Sequence, residues 1–279
     1  MTTSRRRAAE RELREIDFYL PEDTSGVTIQ SVENYIGSLF PTVKTRVCSP
    51  ILRGLRGSKL EEYAESLASS RVKDPSAVIQ SSEPLYGEID YERRAIMGKA
   101  RVGGVVYDGQ KVETICLDLL KTVSSIDRCS IVFTGRLLST YSRDDMRHHL
   151  RTVVFGFPSV VSIPGVIEAP AKPKEYYFLR QQLVAAGAGE VELTKLKSSF
   201  KGRFIDYDDP SVNSVLKGLA LQAVVFHITL NPFCSDRTCR LFNAHWQEEL
   251  IQSQTISAGF CAHHSKLIKR LGKHPALSW

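Results

Sequence analysis

Apolar and polar positions follow two periods over the first fifty residues. Ile16–Leu20 (IDFYL) reads as a strand, and Pro21 to Gly26 as a turn. From Thr28 to Phe40 the residues Val32, Tyr35, Ile36 and Phe40 recur three and four apart, the spacing of one helix face, and Pro41 stops the run. Val43–Ser49 is a second strand. Strand, helix, strand in that order predicts α/β packing with a crossover helix.

The pattern continues with a helix at Lys59–Ala68 and a polar, turn-rich surface excursion over 72–99. A strand at Val102–Val106, a turn at Asp108-Gly109 and a helix at Val112–Val123 follow. Cys129–Thr134 (CSIVFT) is a strong strand. Asp144–Leu150 is charged and helix-like. Thr152–Phe155 and Ser159–Ile163 are short strands separated by Gly156 and Pro158. Pro170 and Pro173 mark an extended stretch or loop over 167–177. A helix from about Glu175 ends by the Gly187–Gly189 break. The clearest helix begins with Asp209 as N-cap and Pro210 in its first turn, then repeats Val212, Val215, Leu216, Leu219, Ala223 and Phe226 to about His227. Leu219–Phe226 is apolar nearly all round, which predicts a central helix.

Composition bounds the class. The chain has 279 residues, 42% of them hydrophobic and 24% charged, with a mean hydropathy of -0.16, the balance of a folded chain rather than a disordered one. No uninterrupted apolar run has the ~18 residues expected of a membrane helix, and the N-terminus has no apolar secretory core. The expectation is a cytoplasmic protein with reduced thiols and no membrane partner. Residues 1–15 alternate charge and read as a solvated arm. Residues 16–279 read as one domain, with 230–279 as its stapled C-terminal part. The net charge of +6 allows an anionic partner without requiring one.

Chemistry concentrates near the C-terminus. Cys234 and Cys239 are five apart, and Cys261 with His264 forms a Cys-x-x-His pair some twenty residues later. Four thiolate and imidazole donors suit one tetrahedral Zn²⁺ with no open position, a structural ion. His263 is the alternative imidazole. The competing reading is a disulfide or plain buried thiols. Cys48, Cys116 and Cys129 lie in apolar stretches and read as core thiols. Asn243 to Glu248 reads as a helix between the ligand pairs, on which His245 and Glu248 share a face.

With these residues placed, the segment resembles the archaemetzincin family of zinc metallopeptidases. That family carries HExxHxxGxxHC, then CxxxxC followed by x-Met, and a final CxxC. In this chain the same register reads AVVFHITLNPFC, CSDRTCRL and CAHH. The resemblance is specific over about residues 212–265 and extends upstream by the order of elements. It implies a metzincin-like mixed twisted sheet with packed helices and a zinc-stabilised C-terminal helical subdomain. It places Ala223 at the first zinc histidine, Val224 at the general-base glutamate, His227 at the second histidine, Leu230 at the turn glycine, Phe233 at the third histidine and Leu241 at the methionine. One catalytic ligand of three remains and the base is gone. The resemblance therefore implies a degenerate relative, of an archaeal group, that lacks peptidase activity and acts as a binding or assembly component with a protein partner.

Two other classes stay open. A relocated hydrolytic site would draw on a cleft of Arg147, His148, His149, Glu168, His227 and His245; the plainer reading pairs Arg147 with Glu168 as a structural ion pair. An RNA- or ribosome-associated protein would use basic runs: Arg53, Arg56 and Lys59; Lys195, Lys197, Lys201 and Arg203 interleaved with Phe200 and Phe204; or Lys266, Lys269, Arg270 and Lys273.

Overall fold

The computed structural model describes residues 12–279 apart from 24, 25, 79, 81, 82 and 124. Strand β1 (Glu15–Tyr19) leads through helix α1 (Ile29–Leu39) to the parallel strand β2 (Lys44–Cys48), as the opening pattern predicts. Helices α2 (Gly57–Ser69) and α3 (Tyr86–Ile96) precede β3 (Val106–Asp108) and α4 (Gly109–Leu120). Strands β4 (Arg128–Thr134), β5 (Leu137–Ser142), β6 (Arg147–Arg151), β7 (Val153–Val154) and β8 (Ser159–Ser162) follow. Then come α5 (Ile163–Glu168), α6 (Lys174–Ala185), α7 (Glu190–Ser199), α8 (Ser211–Thr229), α9 (Gln247–Ile251), a single π turn (Gln252–Ile256) and α10 (Ala262–Lys273).

The architecture is mixed α/β. A five-stranded sheet runs β2-β1-β4-β8-β7, parallel except for β7, which pairs antiparallel at the edge. A second sheet runs β3-β5-β6. One core joins Ile16, Phe18 and Ile131 to α1, α8 and α10; a second packs α2 and α4 against Val132 and Val160. Helix α8 is long and apolar enough to cross a membrane, although Asn213, Lys217 and Gln222 interrupt its apolar run, and 72% of its apolar stretch is buried in the protein. Its all-round apolar surface is therefore satisfied by core packing.

Several expectations are revised. Asp144–Leu150 is not a helix: Met146 takes φ 56° in a tight turn, and β6 pairs back on β5. Charged side chains are tolerated there because β6 is a sheet edge. The polar excursion carries α3, which was hidden because its inward face holds a carboxylate. Glu92 is fully buried, accepts from Arg71 at 2.6 Å, Arg136 at 2.9 Å and the Tyr107 hydroxyl at 2.8 Å, and shares Arg136 with Glu22. The third strand begins at Val106 rather than Val102, and β5, α5 and α7 were not anticipated. Of the charged arm, residues 1–11 lie outside the described residues, while Glu12 bridges Ala276 and Leu13 is buried.

Candidate metal centre

Helix α8 ends where Leu230 turns left-handed, with φ 56°, and its N–H donates to the Phe226 carbonyl. This is the position where the resemblance expects a glycine, and leucine takes the left-handed turn there. The chain then delivers Cys234 to a short bridge with Phe242, and its N–H donates to the Leu241 carbonyl at 2.8 Å. The loop between the first two cysteines is closed by Asp236, whose carboxylate accepts from the Thr238 N–H at 2.9 Å and its hydroxyl at 2.7 Å. Cys239 is buried and bridges Gly259. Cys261 is the N-cap of α10, its Sγ accepting from the His264 N–H.

The donor atoms of Cys234, Cys239, Cys261 and His264 all lie within 4.8 Å of one another, and this is the group of three or more such donors found among the described residues. Cys234 and Cys261 Sγ stand 3.8 Å apart. Metal–sulfur bonds of about 2.3 Å at the tetrahedral angle set sulfur pairs ~3.8 Å apart, whereas a disulfide needs ~2.05 Å. All six cysteines are free, so the disulfide reading gives way to a convergent set. His264 Nδ1 lies 3.2 Å from Cys261 Sγ, whereas His263 is exposed and meets His264 edge-on. The geometry selects His264 as the imidazole donor.

The electrostatics are uneven. Backbone N–H donation from His264 lowers the Cys261 thiol, while burial raises Cys234 and pushes Cys239 up to about 12. Burial also lowers His264, keeping its ring neutral and its nitrogen available as a donor. The N–H groups of Asp236 and His264, at 3.3 and 3.4 Å from their sulfurs, are outer partners of the kind that orient thiolate ligands.

The positions that the resemblance aligns with a catalytic motif hold a different chemistry. Ala223 and Val224 are fully buried among core side chains, and Phe233 meets the Phe155 ring edge-on at 5.5 Å. His227 is buried; its Nε2–H donates to the Ile126 carbonyl at 2.9 Å, and its ring sits edge-on to Phe157. Burial lowers its pKa, so it is a neutral core imidazole.

The six residues read as a cleft do not assemble into one. Arg147 pairs with Asp145 rather than with Glu168, and Glu168 accepts from the Tyr207 hydroxyl at 3.2 Å with Lys172 nearby. His148 meets Ser139 and the edge of Tyr141. His149 and His245 do meet one space: a cavity of about 410 Å³ lined also by Arg151, Gln222, Phe233 and Asn243. The bridge between Ala171 and Trp246 helps to hold His245 there. His245 precedes α9 rather than lying on it, so it shares no helix face with Glu248; its N–H donates to Glu249. Among the basic residues named for RNA, Lys197 pairs with Asp206, and Arg203 with Glu248 and Glu175.

No curated protein matches the sequence. The crystal structure of archaemetzincin from Methanopyrus kandleri is similar over 93% of this chain and 96% of its own, at 12% identity and a TM-score of 0.45. A family model matches residues 12–271, and the chain belongs to the family described as the probable metallopeptidase family (DUF6775).

Proposed function

We propose that this chain is a zinc-stapled, metzincin-like cytoplasmic protein that binds an extended segment of a protein partner without hydrolysing it. The observation that carries the reading is the division of α8 and its exit. The four-donor cluster converges, while the motif positions for catalysis hold buried Ala223 and Val224 and an exposed Phe233 that lies edge-on to Phe155. Three thiolates and one imidazole fill a tetrahedral shell, so the ion they hold would fix the α8 exit to the start of α10 and supply no water-activating position.

The cavity beside α8 supports the binding role. Strand β7 is the sheet edge, and the cavity running along Thr152, Val153 and Phe155 is walled by Leu219, Gln222, Phe233 and Phe242. An extended segment gains main-chain hydrogen bonds from such an edge and side-chain selectivity from the pocket beside it. Gln222 is fixed from within, its amide donating to the Phe242 carbonyl at 3.1 Å.

The test has two readouts. Protein purified without added metal is expected to hold one zinc per chain by elemental analysis; none would overturn the staple. Zinc-replete protein is expected to leave a fluorogenic peptide library uncut while retaining library members that Phe233→Asp releases. Hydrolysis abolished by His149→Ala or His245→Ala would instead establish a relocated site, the reading favoured by two imidazoles on one cavity.

A further inference from the structure

We infer that the outer face of α10 binds the phosphate backbone of nucleic acid, without reading its sequence. The last thirty residues, 250–279, contain no Asp or Glu, and Lys266, Lys269, Arg270 and Lys273 contribute +4 to a chain whose net charge is +6. All four are exposed on α10. Among the described residues none of the four is held in an ion pair, in contrast to Lys197 and Arg203, which acidic partners neutralise. His263 and His274 are exposed at the two ends of the same helix.

Position along the helix makes these charges a row. Lys266, Arg270 and Lys273 are four and three residues apart, so they share one face and span roughly 10 Å at ~1.5 Å per residue. The row extends beyond the helix. The Thr42 hydroxyl donates to the Gly272 carbonyl at 3.3 Å, and exposed Lys44 lies two residues further on. The helix is also fixed: Cys261 caps its start, and Ile268 and Leu271 are buried in the core at 4% and 3% exposure. A preset row of uncompensated cations loses little freedom when it meets a row of phosphates.

The same burial argues against a membrane as the partner. A helix that lies on a bilayer needs its apolar face free to enter the acyl boundary. Here Ile268 and Leu271 are committed to the protein core, with Leu267 packed against it. The exposed row consists of Lys and Arg side chains spaced along one helix face, which suits contacts to successive phosphates, and phosphate contacts carry no sequence information.

The test measures fluorescence anisotropy of a labelled twenty-nucleotide single-stranded RNA with the full chain, alongside a DNA strand of the same sequence. Four phosphate contacts give a salt slope of about −2.8, so affinity is expected to fall about 50-fold from 50 to 200 mM salt. RNA and DNA are expected to bind alike. The variant Lys266→Ala/Lys269→Ala/Arg270→Ala/Lys273→Ala is expected to lose at least tenfold in affinity and most of the slope while keeping wild-type metal content. Lys195→Ala/Lys197→Ala/Lys201→Ala is expected to bind as wild type. Salt-independent binding, no binding, or an unaffected quadruple variant would overturn the proposal. So would co-flotation with phosphatidylserine vesicles by a protein that leaves the RNA free.

Discussion

Gly218 offers the sharpest test of how α8 sets the metal loop. It is buried in the middle of the helix, and Gln254 from the π turn lies directly against it. A methyl group at 218 would overlap the Gln254 carboxamide oxygen and lie 2.6 Å from its Cδ. Gln254 is itself fully buried, and its amide donates to the Arg240 carbonyl at 2.8 Å, beside Cys239. In an exposed helix, Gly→Ala gains about 1 kcal/mol. Here it displaces a buried side chain, with overpacking of about 1–3 kcal/mol and a hydrogen bond worth about 1 kcal/mol. Gly218→Ala is therefore expected to destabilise by about 2 kcal/mol, lowering the melting temperature by about 3–4 °C for a protein of this size. Metal should be released to a competing chelator faster, because the Arg240 carbonyl loses its anchor. Gln254→Ala removes the clashing group, so Gly218→Ala/Gln254→Ala should be at least 1 kcal/mol more stable than the two single effects added together. The assay is urea denaturation of the four proteins of the cycle. A Gly218→Ala variant as stable as wild type, or strictly additive effects, would refute the account.

Other outcomes follow from the same structure. His264→Cys is expected to keep the metal, His264→Ala to lose it and His263→Ala to leave it unchanged, each read by elemental analysis. Glu92→Ala leaves Arg136 and Arg71 without their shared carboxylate, and denaturation should report a loss of about 3–5 kcal/mol. The folded state holds His227 below its ordinary pKa by burial, so the unfolded chain binds more protons as pH falls through about 6.5. Stability attributable to this residue is present above that pH and is lost below it. His227→Gln should flatten that part of a stability-against-pH profile, and an unchanged profile would sink the assignment.

The sequence makes some of these features visible and hides others for physical reasons. Helices α1 and α2 announce themselves by buried positions three and four apart, and α8, β1, β4 and β8 by apolar runs that are buried nearly throughout. The Asp144–Leu150 segment misleads because charged residues at a sheet edge carry no inward pattern, and Arg147-His148-His149 looks like a helix surface. Helix α3 is obscured by Glu92, a charged residue that faces inward only because Arg71, Arg136 and Tyr107 meet it from distant parts of the chain. The metal donors are legible because ligand spacing is local on each side of the loop. The choice of His264 over His263 is not legible, since it depends on which ring the first turn of α10 directs toward Cys261. The cavity is not legible either, because it brings His149 and His245 together from opposite sides of α8 in the sequence.

The contrast between the staple and the motif positions has a physical logic. A buried histidine and glutamate held for catalysis are ionisable groups in an apolar helix, tolerable when a metal and water satisfy them and costly otherwise. Ala223 and Val224 remove that cost and join the core at 0% exposure. The left-handed turn at position 230 is different. Its backbone redirects the chain from α8 to Cys234 at φ 56° on a leucine, although an L-residue pays about 1–2 kcal/mol there. The turn that delivers the cluster is therefore held at an energetic disadvantage, while the α8 positions that the resemblance aligns with the catalytic motif hold side chains the core prefers. Leu230→Gly separates the two effects. It should relieve the turn without changing metal content, and stabilise the protein by less than the full turn energy, because the new glycine also frees the unfolded chain. A Leu230→Gly protein that loses metal would show that the leucine side chain, not the turn, supports the cluster.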